Sequence, residues 1–418
     1  MLLSIRNFSP SVRAYLAASF LLGISIDGIL AVLFNLYLLR LGYSTEFIGI
    51  VNAVGLFGFA GGSLVAGALG SRLGSRRMLQ LATLLVSLGL LLLSSSGWVP
   101  AGWQGAWLAG SYVTIFLGQA SFFVNGSPFM MGSAVTADRS TLFSVQTAVQ
   151  SLAAFSGSFV GGFLPELLAH FLGRPLDDPV TFLIPIQSLV VISLLAAIQV
   201  YRTVEPRQMA SPAVTDKTRP GLRMSWAGIP LALILLISFI RLLQVAGLGA
   251  VTTFFNVYLD TELHVSTSGI GILTSLSRVI GVPAALLVPR LTRRFDNLPV
   301  AIVGTLLSAL FLVPVALVPN WLAAGSGYIA SRMMVSVRFP AFQIYVLERF
   351  EERWQSLVSG AMSMAAGLSF ALMALGGGYI AAGFSFRELF LLGAALTALS
   401  AFMLLVVQAQ TKRRVGRE

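Results

Sequence analysis

The sequence contains no cysteine and only two histidines among its 418 residues. The lack of cysteine excludes disulfides, thiolate metal sites and thiol nucleophiles. His170 and His264 lie in predicted loops, so no histidine-based triad or histidine-rich metal site is available inside the apolar segments. We therefore expect no enzymatic activity, no cofactor and no metal.

Charged residues are also scarce. They make up 10% of the chain, against about 25% in a typical soluble domain, and 56% of the residues are hydrophobic. A transmembrane helix needs about 20 predominantly apolar residues. Twelve such stretches can be distinguished between Val12 and Val407, and they leave only short loops and one linker. The sequence thus predicts an all-α integral membrane protein with 12 transmembrane helices.

The few charges give a net charge of +11, which in a soluble protein would suggest a nucleic-acid partner. With both termini in the cytoplasm, 20 of the 27 Lys and Arg residues fall in cytoplasmic segments, and three, Arg40, Arg174 and Arg387, fall outside. The positive-inside rule describes this asymmetry. We expect a multi-pass protein of the inner (cytoplasmic) cell membrane with both termini cytoplasmic and no nucleic-acid partner.

One charged, proline-bearing stretch interrupts the apolar pattern at residues 202–225. It predicts a cytoplasmic linker, because it is the only long polar segment between the apolar stretches. The predicted domains are a six-helix bundle at 1–201 and a second one at 226–418, which ends in a short basic cytoplasmic tail.

The two predicted bundles are related in sequence. Phe34–Leu38 recurs as Phe255–Leu259, which places Asn35 and Asn256 at equivalent positions. A parallel duplication implies a pseudo-two-fold axis along the membrane normal and a substrate site at mid-depth between the bundles. Because both asparagines are repeated, they indicate architecture rather than contact with substrate.

A glycine- and arginine-rich segment follows the second apolar stretch. Its characteristic residues are Gly67, Leu69, Ser71, Arg72, Gly74, Arg76 and Arg77. This segment resembles the G-x-L-x-D-R-x-G-R-R loop of the major facilitator superfamily, with serine at the acidic position. The resemblance implies the superfamily fold of two pseudo-symmetric six-helix bundles, transport by alternating access, and a cytoplasmic latch. The latch residues are Gly67, Ser71, Arg72, Gly74, Arg76 and Arg77, although Ser71 cannot form the ion pair of the family's carboxylate.

The fifth apolar stretch contains a run of small residues that is similar to the antiporter motif of the same superfamily. These residues are Ala153, Gly157, Ser158, Gly161 and Gly162. Small residues four apart also let helices approach closely in lipid. Packing is the interpretation that we favour for this run.

Ionisable residues at membrane depth cost roughly 2.5 to 3.5 kcal/mol each, so they warrant a functional hypothesis. Asp27 is the only acidic one, and we predict that it couples transport to protons. The alternative is a structural ion pair with Arg241 or with an arginine of the tenth span. The predicted substrate-binding residues are Arg241, Gln244, Arg278, Arg332, Gln119, Gln146 and Gln150.

The sequence contains no nucleotide-binding loop, which favours secondary over ATP-driven transport. At mid-depth the arginines Arg241, Arg278, Arg332 and Arg338 outnumber the single Asp27. This positive excess favours a small organic anion or zwitterion as substrate, moved with protons by a monomer in the lipid bilayer. Two alternatives stay open: a drug/proton antiporter that exports amphipathic compounds, and a non-transporting sensor or lipid-handling protein on the same scaffold.

Overall fold

The computed structural model describes residues 8–133, 139–204 and 231–415. Within these ranges the chain is almost entirely helical and contains no β-strand. The long helical segments of these ranges are α1 (Pro10–Arg40), α2 (Thr45–Leu73), α3 (Ser75–Ser94), α4 (Ala101–Ser133), α5 (Arg139–Leu172), α6 (Pro179–Tyr201), α7 (Leu231–Thr261), α8 (Thr267–Phe295), α9 (Asn297–Leu317), α10 (Trp321–Leu347), α11 (Glu352–Gly383) and α12 (Phe386–Val415).

Ten of the helices in the described ranges are long and apolar enough to cross a membrane. The other two, α8 and α10, are 29 and 27 residues long, but each carries arginine in its interior, such as Arg278 and Arg332. Each predicted apolar stretch coincides with one of these helices. The prediction of an all-α, multi-pass membrane protein is confirmed, but His170 lies in the last turn of α5 rather than in a loop.

Polar side chains cap the first turns of several helices. The side chain of Ser9 accepts a hydrogen bond from the backbone N–H of Val12 at 3.3 Å, at the start of α1. The carboxylate of Asp178 accepts one from Val180 at 2.9 Å, at the start of α6. Such caps satisfy N–H groups that have no partner within the helix. They therefore fix where these apolar helices begin.

The two ends of the bundle carry different loops. The Arg40 face contains the end of α1, the start of α2 and the loops at 173–178 and 262–266. The opposite Arg72 face contains the α2–α3 junction, where Gly74 has a φ of +88°, and the end of α6. Residues other than glycine rarely adopt this backbone conformation, so Gly74 permits the sharp turn between α2 and α3.

The first six and the last six helices meet along two long seams, in which α2 packs on α11 and α5 packs on α8. A Cβ atom added to Gly162 of α5 would lie 2.6 Å from the Cα of Gly271 in α8. At the other seam, a Cβ on Gly49 would lie 2.5 Å from the carbonyl oxygen of Ala374. These positions have no room for a side chain, because the helix backbones themselves are in contact.

The duplicated asparagines join α1 to α7 by a reciprocal exchange of hydrogen bonds. The amide of Asn35 donates to the carbonyl of Thr253 at 2.7 Å. The amide of Asn256 donates to the carbonyls of Ala31 at 3.2 Å and Val32 at 3.4 Å. Asn35 and Asn256 thus have architectural contacts that satisfy backbone oxygens across the boundary between the two halves.

The structure describes the predicted linker at 202–225 only up to position 204. Residues 205–230 and 416–418 lie outside the described ranges. The boundaries of the two predicted domains therefore stay predictions, as does the short basic tail.

Candidate functional site

The chain departs from regular α-helix at the middle of α1, where Gly23–Leu30 forms a π-helix that contains Asp27. Gly28, in the same segment, packs against α5 so closely that an added Cβ would lie 2.5 Å from the Cα of Gly157. Such π segments shift the direction of side chains and are frequent at functional sites. The distortion therefore lies at Asp27, the only acidic residue of α1.

Asp27 contacts both halves of the protein. Its carboxylate accepts a hydrogen bond from the side-chain amide of Gln119 in α4, at 3.1 Å. Its backbone carbonyl accepts one from Arg278 in α8, at 3.0 Å. Arg278 thus binds the backbone of the π-helix rather than pairing directly with the carboxylate. An aspartate held in this way bridges the two halves at mid-depth.

Two cavities, of about 440 Å³ and 760 Å³, share Asp27, Thr147 and Gln150 in their walls. We call them together the central cavity. The smaller part is lined by Gln119 and Gln146 and by aromatic side chains of the first half. The larger part lies between the halves and is lined by Arg278 and Arg332. The structure therefore brings together six of the predicted site residues, which are Asp27, Gln119, Gln146, Gln150, Arg278 and Arg332.

Among the described residues that line the central cavity, the charged ones are Asp27, Arg278 and Arg332. Two guanidinium groups and one ionised carboxylate leave a net charge of +1 in its wall. The Nε of Arg278 has no hydrogen-bond partner. Arg332 makes only a long contact of 3.5 Å to the hydroxyl of Thr252 and lies over the ring of Tyr328. Donors are thus available for an anionic group.

The structure does not bring Arg241 and Gln244 to this cavity. Arg241 donates to the side-chain oxygen of Gln244 at 2.7 Å, and Gln244 donates to Thr305 at 3.1 Å. Arg241 also lies 4.8 Å above the ring of Phe339, in the wall of a separate cavity. The alternative of an ion pair between Asp27 and Arg241 is not formed in this structure.

Sequence reasoning missed the serine and threonine side chains that complete the central cavity. Thr147, Ser277 and Ser336 line it, but isolated hydroxyl residues are frequent in transmembrane helices, where they hydrogen-bond to the helix itself. Ser277 does so with Thr274 at 2.7 Å. The spacing of such residues therefore carries no signal that separates a cavity wall from ordinary packing.

The small residues of α5 have packing partners at each step. An added Cβ at Gly23 would lie 2.8 Å from that of Ala153, and one at Gly161 would lie 3.0 Å from the Cα of Ile29. Gly157 and Gly162 make the contacts already described. One side of α5 therefore packs on the π segment of α1 and another on α8, as the packing interpretation of this run requires.

The predicted latch lies at the Arg72 face. Arg72 and Arg77 are exposed there, and Arg76 donates to the backbone carbonyl of Tyr201 at 3.3 Å. Gly67 lies in the last turns of α2, and its position faces Val124 of α4. The side chain of Ser71 lies outside the described residues. The latch role of these residues stays a prediction.

The Arg40 face is closed by an ion-pair cluster that joins the halves. Arg40 at the end of α1 donates through both terminal nitrogens to the carboxylate of Asp260 in α7, each at 2.7 Å. Its Nε lies 3.0 Å from Asp177. Towards the Arg72 face, by contrast, nothing lies within 4 Å of a Cβ added at Gly367 or Gly360, which share the face of α11 that carries Gly378. The seam between α2 and α11 is thus tight at the Arg40 face and separated towards the other.

Comparisons with known proteins find one matching family model and several solved structures with a similar fold. The family model described as Major Facilitator Superfamily matches residues 234–418. No curated protein matches the sequence. A D-xylose-proton symporter has a similar structure, with a TM-score of 0.70 at 15% identity, over 94% of this chain and 96% of that one.

Two further solved structures are similar over nearly their whole length. The nucleoside transporter NupG has a TM-score of 0.71 at 12% identity, over 94% of this chain and 99% of its own. A bacterial homolog of the human lysosomal transporter Spinster, in an inward-facing and occupied conformation, has a TM-score of 0.65 at 15% identity and covers 96% of each chain. The family-model match to residues 234–418 and the fold shared with these solved structures agree with the predicted resemblance to the major facilitator superfamily.

Proposed function

We propose that this chain is a secondary transporter that moves a small organic anion or zwitterion through the central cavity by alternating access. The observation that carries the proposal is the position of Asp27, Arg278 and Arg332 around one cavity between the two halves. Charges at this depth are costly, so their presence favours a role in binding or coupling. A cavity wall with a net charge of +1 favours a substrate with an anionic group.

The two parts of the central cavity differ in chemistry, which narrows the substrate class. The smaller part presents aromatic rings, among them Tyr15, Phe122 and Phe143. The larger part presents Arg278 and Arg332. A substrate that occupies both parts carries an anionic group at one end and an apolar body at the other, because apolar surface gains from contact with aromatic side chains.

Asp27 supplies the proton coupling in this proposal. Protonation of Asp27 removes the only carboxylate of the described cavity wall and raises the net charge of the wall from +1 to +2. An anion therefore binds more tightly when Asp27 is protonated, and by linkage the bound anion favours that protonation. Because the proton and the anion each favour binding of the other, they move together, which is symport. One of the similar structures, the D-xylose-proton symporter, carries this mode in its name.

The orientation belongs to the proposal as well. With the Arg72 face in the cytoplasm, the basic loops satisfy the positive-inside rule. The conformation described here, closed at the Arg40 face, is then an inward-facing one in the cell membrane. We expect one chain to suffice, because both halves of the cavity come from the same polypeptide.

The aromatic wall of the smaller part also favours a second candidate, a proton-coupled exporter of amphipathic compounds. Against it, the small residues of α5 are accounted for by packing on α1 and α8. A transporter of either kind differs from a sensor or lipid-handling protein in one measurable property, the exchange of labelled substrate across a membrane.

The test combines counterflow in proteoliposomes with a variant of Asp27. A panel of aromatic carboxylates and lipophilic cations is screened for counterflow, and an active carboxylate supports the proposal. In the Asp27→Asn variant we expect counterflow to persist while proton-driven accumulation is lost, because the variant cannot exchange a proton. Glu388→Gln, which changes an exposed carboxylate of α12, is the matched control and retains both activities. Accumulation by Asp27→Asn at the parent level would refute the coupling role, and counterflow of cations alone would refute the anion assignment.

A further inference from the structure

A cavity of about 280 Å³ lies between α7, α10 and α11, apart from the central cavity. We call it the Arg241 cavity. Its polar wall consists of Arg241 together with Gln343, Ser359 and Ser363. Because the residues of α10 and α11 lie near the short connection between these helices, the cavity is in the half of the bundle nearer the Arg72 face. It far exceeds the roughly 30 Å³ that one water molecule occupies in the liquid, so it has room for a small ion.

Two arginines converge at this place on the same residue. Arg241 donates to the side-chain oxygen of Gln244 at 2.7 Å, and Arg338 donates to the backbone carbonyl of Gln244 at 3.0 Å. Arg241 is 8% exposed and Arg338 is 1% exposed. The Nε and Nη1 atoms of Arg338 are buried without a hydrogen-bond partner. Two guanidinium groups are therefore buried beside each other with several donors unsatisfied.

Neither arginine forms an ion pair with a carboxylate among the described residues. The contrast with Arg40 is direct, since that guanidinium contacts both Asp260 and Asp177. Two buried like charges repel each other and lose their hydration, which is costly unless a counter-charge is present. The ring of Phe339, 4.8 Å from Arg241, supplies only a weak electrostatic partner.

The remaining polar groups of the cavity have the chemistry of an anion site. The side chains of Gln343, Ser359 and Ser363 have no hydrogen-bond partner in the described part of the chain and so offer amide and hydroxyl donors. Carboxylate, sulfate and phosphate groups are the anions whose oxygens match such donors together with a guanidinium.

We propose that the Arg241 cavity is a second anion site, which binds an oxyanion reached from the Arg72 face and neutralises the Arg241 and Arg338 pair. The site lies within the second half of the chain and shares no residue with the central cavity. Its occupation therefore does not depend on the proposed transport cycle. The same chemistry is offered by free inorganic phosphate and by the headgroup of an anionic phospholipid.

The experiment uses the absence of cysteine from the full chain. Ala366 lines the Arg241 cavity, so Ala366→Cys is a reporter that leaves all the polar groups in place. Its alkylation rate with the neutral reagent N-ethylmaleimide is measured in nonionic detergent, with inorganic phosphate or with phosphatidylglycerol added. Ser336→Cys, in the wall of the central cavity, is the second reporter. Each reporter is combined with Arg241→Gln, and with Arg349→Gln as the matched loss of one charge, just beyond the end of α10.

We expect phosphate or phosphatidylglycerol to slow the alkylation of Cys at position 366 at least threefold, and the more effective of the two identifies the source of the oxyanion. Arg241→Gln abolishes this protection and Arg349→Gln retains it. If neither addition slows the reaction, or if protection persists in Arg241→Gln, the proposed second site is wrong. The Ser336→Cys reporter tests the proposed function separately. A transported carboxylate slows its alkylation only by binding in the central cavity, so this result does not depend on the second site.

Discussion

The ion-pair cluster at the Arg40 face makes a quantitative prediction about the conformational equilibrium. Arg40 and Asp260 belong to α1 and α7, one in each half, and their side chains are only 14% and 10% exposed. Opening this face separates the two helix ends and breaks both hydrogen bonds of 2.7 Å. The pair therefore stabilises only conformations in which the face is closed.

Replacement of Arg40 by lysine keeps the charge but removes the planar fork that binds both carboxylate oxygens. A hydrogen bond to a charged group contributes about 1.5 to 3 kcal/mol. Loss of one of the two bonds shifts the equilibrium towards the open Arg40 face by about tenfold to a hundredfold, since about 1.4 kcal/mol corresponds to a factor of ten. We expect Asp260→Asn to act in the same direction, because it leaves Arg40 with Asp177 alone.

Pulsed EPR measures this shift as the distance between two spin labels, which are attached to the cysteines of a Gly97→Cys, Gly383→Cys double variant. Both positions lie near the Arg40 face, one in each half, and nothing lies within 4 Å of a Cβ at either. Arg174→Lys is the matched control, because its partner Asp178 lies in the same loop of the first half and the label distances stay at the parent value. Unchanged distance distributions in both Arg40→Lys and Asp260→Asn would refute the role of the pair in closing this face.

Three further predictions follow from the packing, the charges and the orientation. Gly157→Ala should lower the melting temperature, since its Cβ would overlap the carbonyl oxygen of Ile24, and overpacking costs about 1 to 3 kcal/mol; an unchanged melting temperature would mean that α1 and α5 separate without cost. Arg278→Gln should weaken binding of a transported carboxylate about tenfold or more while Arg349→Gln does not, which isothermal titration calorimetry measures; equal affinities would remove Arg278 from the site. A single cysteine at Ser211 in the predicted linker should react with an impermeant maleimide only in inverted membrane vesicles, and reaction in intact cells would reverse the orientation.

The sequence predicted the helices well, because a membrane imposes one dominant requirement on every span. Twelve apolar stretches and the duplicated Phe-Asn segments are visible without coordinates. The duplication also identified Asn35 and Asn256 as architectural, and both donate to backbone carbonyls across the two halves. The hydropathy pattern thus predicts the number of spans, and the repeated residues predict the duplication of the six-helix unit.

The direction of each side chain could not be predicted in the same way. Apolar residues surround Arg241 on all sides of helix α7, so the hydropathy pattern does not indicate which face meets the central cavity. The π-helix at Gly23–Leu30, which packs on Gly157, also changes the register of α1 locally. A period of 3.6 residues cannot be extrapolated through such a segment. The direction in which the side chain of Arg241 points was therefore not predictable from the sequence.

The hydrogen bonds of Asn35 and Asn256 have a consequence for how the two halves would associate as separate molecules. Asn35 donates to the carbonyl of Thr253, and Asn256 donates to that of Val32. Each half therefore presents both a donor and the matching acceptor on one helix, as each subunit does at the isologous interface of a two-fold symmetric dimer. The seam between α1 and α7 is self-complementary in this respect. Two copies of one half would meet the same pair of contacts that the covalently joined halves make with each other.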